Sequence, residues 1–434
     1  MIEENLGPLQ IWGGAEYTCN RVRDNYIDQM DLSGHAKRFQ DYERFADLGV
    51  TTLRVGLLWE RHHREHETWA SSDEHVRYAH QAKLEVIAGL VHHGSGPSHT
   101  DLLDKRFPEK LAEYAGAVAR RYPEISKFTP VNEPHTTARF SGMYGVWYPH
   151  HRSLTSLYRA LVNQIKATVL CMETIREVRE DAQLIQTDDF GSVTGTAELR
   201  PVWEYLNLRR WLAIDLLCGR VDAKHPLFYE LLAADVSREE ILWFADHSCP
   251  PDVIGINYYP TSDRYLDHQL ELYPADRRSA EGPFVDVEAI RSEDAAVAGL
   301  NDLIVETWSR YHIPVAITEV HIGGEVCEQM RWATSVYECV MDARSRGAQC
   351  LAMTFWALLG SYYWNQLVTC ENGYYESGVF DISSGFPIET QLGIIVRQLA
   401  RGLAPSHPAL QQRGWWLRPE RICFPLAVKD LLAR

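Results

Sequence analysis

Thr129-Pro130-Val131-Asn132-Glu133-Pro134 and Val315-Ala316-Ile317-Thr318-Glu319-Val320-His321 are two short apolar runs, each arriving at a glutamate. Runs of this length, rich in β-branched residues and followed by helix-patterned stretches, read as core strands. Six more stand along the chain, and the eight predicted strands are residues 9–14, 52–58, 85–91, 126–132, 182–187, 252–258, 314–319 and 350–356. Helical periodicity fills the gaps. Over residues 107–122, Leu111, Tyr114, Ala115, Val118 and Tyr122 share one face, as do Leu154, Leu157, Tyr158, Leu161 and Ile165 over residues 154–178. Gly49 is predicted to stop the helix that carries Phe39, Tyr42, Phe45 and Leu48. Eight strand-then-helix units predict an α/β fold, a single (β/α)8 TIM barrel over residues 1–434. A doubly wound open sheet usually shows a Gly-rich phosphate turn after its first strand. Here Gly13-Gly14 runs on into Ala15-Glu16.

Composition sets the outer bounds. The chain has 434 residues, 45% hydrophobic and 24% charged, as a soluble globular protein with a large core would. Its acidic start, Met1-Ile2-Glu3-Glu4-Asn5, does not read as a secretory leader, and no apolar stretch is long enough for a membrane span. Nine scattered cysteines without CxxC spacing suggest reduced thiols and a cytoplasmic location. A formal net charge of −16 argues against nucleic acid or an anionic membrane as partner.

In such a barrel the reactive residues stand at the C-terminal ends of the strands. Glu133 and Glu319 end predicted strands four and seven, which face each other across the barrel. Taken singly, each reads as a strand cap or the partner of a surface arginine. Taken together, two carboxylates ending core strands imply a shared chemical role, because burying a charge is costly. Glycoside hydrolysis supplies such a role. One carboxylic acid protonates the leaving oxygen while a carboxylate, about 5–5.5 Å away in retaining enzymes, attacks the anomeric carbon.

At these residues the sequence resembles the family 1 glycoside hydrolases, the β-glucosidase-like enzymes of clan A. The resemblance implies Glu133, in Asn132-Glu133-Pro134, as acid/base and Glu319, in Thr318-Glu319, as nucleophile. It implies Arg54, Asn257 and Tyr259 as supports of the nucleophile. It further implies His92, Asn132 and Trp356 as groups that grip the sugar, Trp356 by stacking beneath it. Without the resemblance, Arg54 reads as a helix-facing salt bridge and Trp356 as core. Departures accompany the matches. Asn20 stands where the family has a glycone-binding Gln. In Gly360-Ser361-Tyr362-Tyr363-Trp364, Tyr363 takes the place of the Glu that clamps the far hydroxyls, with Trp364 beside it. A phenol in place of an acceptor carboxylate favours a less hydroxylated glycone such as a deoxysugar. Val320-His321 replaces the usual Asn-Gly after the nucleophile. Trp12-Gly13-Gly14, Val91-His92-His93-Gly94-Ser95-Gly96-Pro97 and Trp356-Ala357-Leu358-Leu359-Gly360-Ser361 resemble a glycosidase-like branch often fused to dTDP-4-dehydrorhamnose reductase-like domains. No such second unit is expected here, since the sequence runs only from Trp415-Trp416 to Arg434.

Other chemistries fit less well. The pairs His62-His63, His92-His93 and His150-His151 suggest a metal, but neighbouring side chains on a strand point to opposite faces, and HExxH is absent. A serine hydrolase would carry a GxSxG elbow, which is also absent. The sequence therefore predicts a retaining glycosidase that needs neither cofactor nor metal and acts on a β-linked glycoside. A non-catalytic sugar-binding barrel and a transglycosidase using the same two glutamates are the alternatives. Glycone, aglycone and oligomeric state stay open.

Overall fold

All eight predicted runs form strands: β1 (Gln10–Gly14), β2 (Thr52–Gly56), β3 (Glu85–His92), β4 (Lys127–Asn132), β5 (Gln183–Asp189), β6 (Val253–Asn257), β7 (Val315–Val320) and β8 (Cys350–Phe355). This computed structural model describes residues 6–424 apart from 294, 296 and 298. The acidic start of the chain therefore lies outside the described residues. Each strand lies parallel to its neighbours in chain order, and β1 pairs with both β2 and β8, which closes the barrel.

The helices α1 (Asp41–Asp47), α2 (Ala70–Gln81), α3 (Phe107–Arg121), α4 (Leu154–Val178), α5 (Arg238–Asp246), α6 (Leu300–Tyr311), α7 (Val326–Ser345) and α8 (Leu392–Ala400) follow the strands in turn. Gly49, with φ +89°, ends α1 in the left-handed conformation glycine adopts freely. Apolar side chains on the outer faces of the strands, among them Leu53, Val55, Phe128 and Ile317, pack with the helices into the main core. Inside the barrel, Trp12, Ile87, Ile185, Val253, Ala316 and Ala352 form a smaller cluster, the large indole sharing the space with two alanines.

The loops after β1, β5 and β6 carry extra structure. Cys19–Val22 and Asn25–Asp28 form a hairpin, and Val193–Gly195, Arg264–Asp267 and Val285–Glu288 form a three-stranded sheet. Among the described residues no helix is long and apolar enough to cross a membrane.

Candidate active site

β7 is irregular where its glutamate emerges. Ile317 pairs with Ile256 of β6, and the next pair is Glu319 with Asn257, so β7 carries one extra residue. Such a bulge breaks the in–out alternation and lets Thr318 and Glu319 both serve the interior. Thr318 donates its hydroxyl to Asn257 Oδ1 at 2.6 Å. Glu319 accepts from Arg54 Nη1 at 3.1 Å and from the Tyr259 hydroxyl at 2.6 Å.

Glu133 stands at the corner between β4 and the short helix Pro134–Ala138, with φ +45° and ψ +60°. A left-handed backbone at a non-glycine residue costs about 1–3 kcal/mol and persists only where its surroundings enforce it. The Glu133 N–H donates to Thr187 O at 3.1 Å, and the N–H of Thr137 donates to Glu133 O at 2.8 Å. Asp188 caps the helix, accepting from the N–H groups of His135 and Thr136 at 3.0 and 3.4 Å. Held there, Glu133 Oε1 accepts from Asn257 Nδ2 at 2.6 Å.

One network joins the two glutamates. Asn132 Oδ1 accepts from Arg54 Nη2 at 2.7 Å and from the Thr187 hydroxyl at 2.7 Å, while Arg54 Nη1 also donates to Thr318 O at 2.9 Å. Relative exposure is 1% for Arg54, 2% for Glu319 and 5% for Glu133, so these charges interact with little screening by water. Burial pushes the Glu319 carboxyl up to about 7, with Arg54 and the Tyr259 hydroxyl holding it back. Burial also pushes Glu133 well above the usual carboxylate range, and the charges of Glu319, Asp189 and Asp188 add to that. The two carboxyls thus differ as their partners do. Glu319 faces a cation and a phenol, while Glu133 faces an amide and other acids. Burial, with Arg54 nearby, keeps His93 neutral, with its pKa lowered to about 3.

The floor of the cavity is aromatic. Trp356 stacks on His92 at 5.2 Å between ring centres, and the Arg54 guanidinium lies 4.4 Å from the Trp356 ring. Tyr17 meets Trp356 edge-on at 5.3 Å. Its ring closes down on two glycines: a Cβ at Gly56 would stand 2.8 Å from Tyr17 Cγ, and one at Gly89 2.6 Å from the Tyr17 hydroxyl. Glu16 ties the floor together, accepting from Trp364 Nε1 at 3.1 Å, Trp356 Nε1 at 3.4 Å and Thr18 N at 2.8 Å.

Glu133, Glu319, Tyr259, His92, Trp356 and Trp364 line one cavity of about 700 Å³, in the range of small-molecule sites. Three sequence expectations need correcting, those for Asn257, Asn20 and Tyr363. The Asn257 side chain hydrogen-bonds Glu133 and Thr318 and not the Glu319 carboxylate, although Glu319 is its partner in the strand register. Asn132 has its amide oxygen committed to Arg54 and Thr187, while its amide nitrogen faces His92 and His93 of the cavity wall at 3.4 and 3.5 Å. Asn20 points to the backbone of the loop after β8, donating to Val368 O at 3.1 Å. Tyr363, at φ +64°, packs with Ile27 and Val368, outside the cavity lining. Sequence reasoning passes over Glu16 and His93, which do line the cavity. The only signal at Glu16 is its place just beyond the C-terminal end of β1. Among the described residues no three His, Cys, Asp or Glu side chains gather as a metal site requires.

Fold and cavity define a class: a closed (β/α)8 barrel that buries one glutamate at the end of its fourth strand and another on its seventh. Solved structures of this fold include the family 1 β-glucosidase from Thermotoga maritima. It matches with a TM-score of 0.71 over 92% of this chain and 98% of that one, at 14% identity. The AHE enzyme from Alicyclobacillus herbarius matches with a TM-score of 0.71 over 91% of this chain and 98% of that one, at 18% identity. In sequence, the chain is 22% identical over 287 residues to a β-galactosidase from Saccharolobus solfataricus, covering 62% of this chain. The match spans 54% of that enzyme, about half its length. No family model matches the sequence. The likeness to family 1 β-glucosidases is thus one of fold, in line with the resemblance read from the motifs.

Proposed function

We propose that the chain is a retaining β-glycosidase. One observation carries the reading: a single cavity holds two buried glutamates with opposite support, Glu319 with Arg54 and Tyr259, Glu133 with Asn257 and neighbouring acids. Under this reading Glu319 attacks the anomeric carbon as Glu133 gives its proton to the departing oxygen, leaving a glycosyl ester on Glu319. Glu133, now ionised, takes a proton from water, which displaces the sugar and frees Glu319. Arg54 and the Tyr259 hydroxyl keep the nucleophile charged and aimed, and the Trp356 face receives the sugar ring. The activities named for two similar proteins, a β-galactosidase and a β-glucosidase, support this reaction class.

For the glycone we propose a sugar other than plain glucose, a 6-deoxysugar first among the candidates. Tyr363 fills the position of the clamping Glu in the resembling family, and its ring packs on Ile27 and Val368. The carboxylate on the floor comes instead from the neighbouring loop, after β1, at Glu16.

The test is nitrophenol release from a panel of 4-nitrophenyl glycosides, including 6-deoxysugars and pentosides. Glu319→Gln is expected to lower kcat/KM by at least about 10³-fold on the best of them. Activity that survives this change sinks the mechanism. A glucoside at the head of the panel sinks the glycone proposal alone.

A further inference from the structure

Past the two glutamates the cavity opens onto a wall of arginines: Arg139, Arg209, Arg264, Arg277 and Arg278 all line it. Most are neutralised. Arg209 is held bidentately by Glu281 at 2.6 and 2.8 Å, and Arg264 by Asp286 at 2.7 Å. Arg277 lies 3.5 Å from Glu288. Arg139 and Arg278 make no ion pair and no side-chain hydrogen bond with any described residue, and Arg139 Nε is buried without an acceptor. Asp189 and Glu281 favour the Arg139 charge, but neither takes up its hydrogen-bond donors, which stay open to an oxyanion. Such a cluster in a chain of net charge −16 is not a generally basic surface. Arg139 also opens a π-helical turn, Arg139–Met143, right after Pro134–Ala138, a local irregularity common at functional sites.

Its position shows which part of a substrate would meet it. Arg139 follows Glu133 by the single short helix Pro134–Ala138 and lines the same cavity, so it lies on the Glu133 side. The aromatic floor of Trp356 and Trp364 is tied to Glu16, from the loop after β1. In the glycosidase reading, the oxygen that Glu133 protonates belongs to the leaving group, which therefore extends toward Arg139.

We propose that the leaving group of the natural substrate carries an anionic oxyacid, phosphate or carboxylate, held by Arg139 with Arg278 at the cavity's outer edge. Which part of the substrate bears the charge rests on the glycosidase reading, whereas the anion site itself does not. A guanidinium fork matches either oxyanion with paired charge-assisted hydrogen bonds.

The probes are phenyl phosphate, benzoate and uncharged phenol, titrated calorimetrically into the full chain at low salt. Saturable binding of at least one anion below about 10 mM is expected, with phenol weaker by fivefold or more. The tighter anion names the oxyacid. Arg139→Met is expected to weaken binding at least fivefold. Arg278→Met, at an exposed side chain whose loss leaves the fold intact, is expected to weaken it at least twofold. Failure of both anions to bind, phenol binding as tightly, or unchanged binding in Arg278→Met and in any folded Arg139→Met overturns the proposal. Loss of anion binding beside an active glycoside panel sinks only this proposal, whereas anion binding beside a silent panel sinks the glycosidase reading, and with it the assignment of the charge to a leaving group, and leaves the anion site standing.

Discussion

Asn257 Nδ2 donates to Glu133 Oε1 at 2.6 Å, so a side chain of β6 governs the acid at the end of β4. The same amide accepts from Thr318 at 2.6 Å, which fixes its orientation from the bulged strand. Asn257 thus links Glu133 to the residue that precedes Glu319.

Replacing Asn257 with alanine removes a hydrogen bond that favours the ionised form of Glu133. The Glu133 pKa then rises further, and the alkaline limb of the kcat/KM profile is expected to move to higher pH. With the carboxyl less firmly held, kcat/KM should fall about tenfold. An acid limb that moves while the alkaline limb stays put would show that Asn257 acts on Glu319 instead.

Under the proposed mechanism, turnover requires Glu319 ionised while Glu133 is still protonated. Burial holds the Glu319 carboxyl up at about 7 and keeps the Glu133 carboxyl well above the usual carboxylate range. Activity should therefore rise through about pH 7 and decline at more alkaline pH, giving a bell whose two limbs belong to the coupled pair. A pH–rate profile with its maximum below about pH 6 contradicts this ordering.

Two substitutions should move the acid limb in opposite directions. The Tyr259 hydroxyl lowers the Glu319 pKa by donating to Oε2, so Tyr259→Phe shifts the limb up. The charge of Glu16 raises that pKa, so Glu16→Gln shifts the limb down. Limbs that move together, or stay still, would remove both residues from control of Glu319.

Glu133→Gln should stabilise the fold at alkaline pH. A carboxyl whose folded pKa lies above its unfolded value binds its proton more tightly when folded, so its contribution is lost as pH rises through the folded pKa. Glutamine cannot ionise and escapes that loss. Thermal melts should show the variant above wild type at pH 9, with the gap closing toward pH 5. Equal melting temperatures at pH 9 would mean that Glu133 is not under this strain.

Gly89→Ala should destabilise the barrel by about 1–3 kcal/mol, because its Cβ meets the Tyr17 hydroxyl. Tyr17→Phe removes the atom in the way and should restore part of the loss. Denaturant melts of the two single variants and the double variant measure this, and strict additivity would refute the contact.

The strands and the two glutamates are legible because a buried strand writes itself as a short apolar run, and a charge at its end stands out. What the runs do not encode is which neighbour a side chain reaches. Alternation along β7 carries no sign of the extra residue at Thr318 and Glu319, so sequence alone pairs Asn257 with the wrong acid. A motif position places Tyr363 in the sugar site, whereas its left-handed backbone turns the ring away. Glu16 lies in a loop without periodicity, and only the indole donors above it show its use.

Those indoles have a consequence for how the protein is made. Trp356 and Trp364 follow the last strand, yet both donate to Glu16, which follows the first, across the seam where β1 meets β8. During synthesis the ribosome delivers Glu133 and then Glu319 well before this seam can close. A nascent chain can therefore carry both acids and still have no floor for a sugar. The pocket should appear in one late step, when β8 docks against a β1 that left the ribosome long before it.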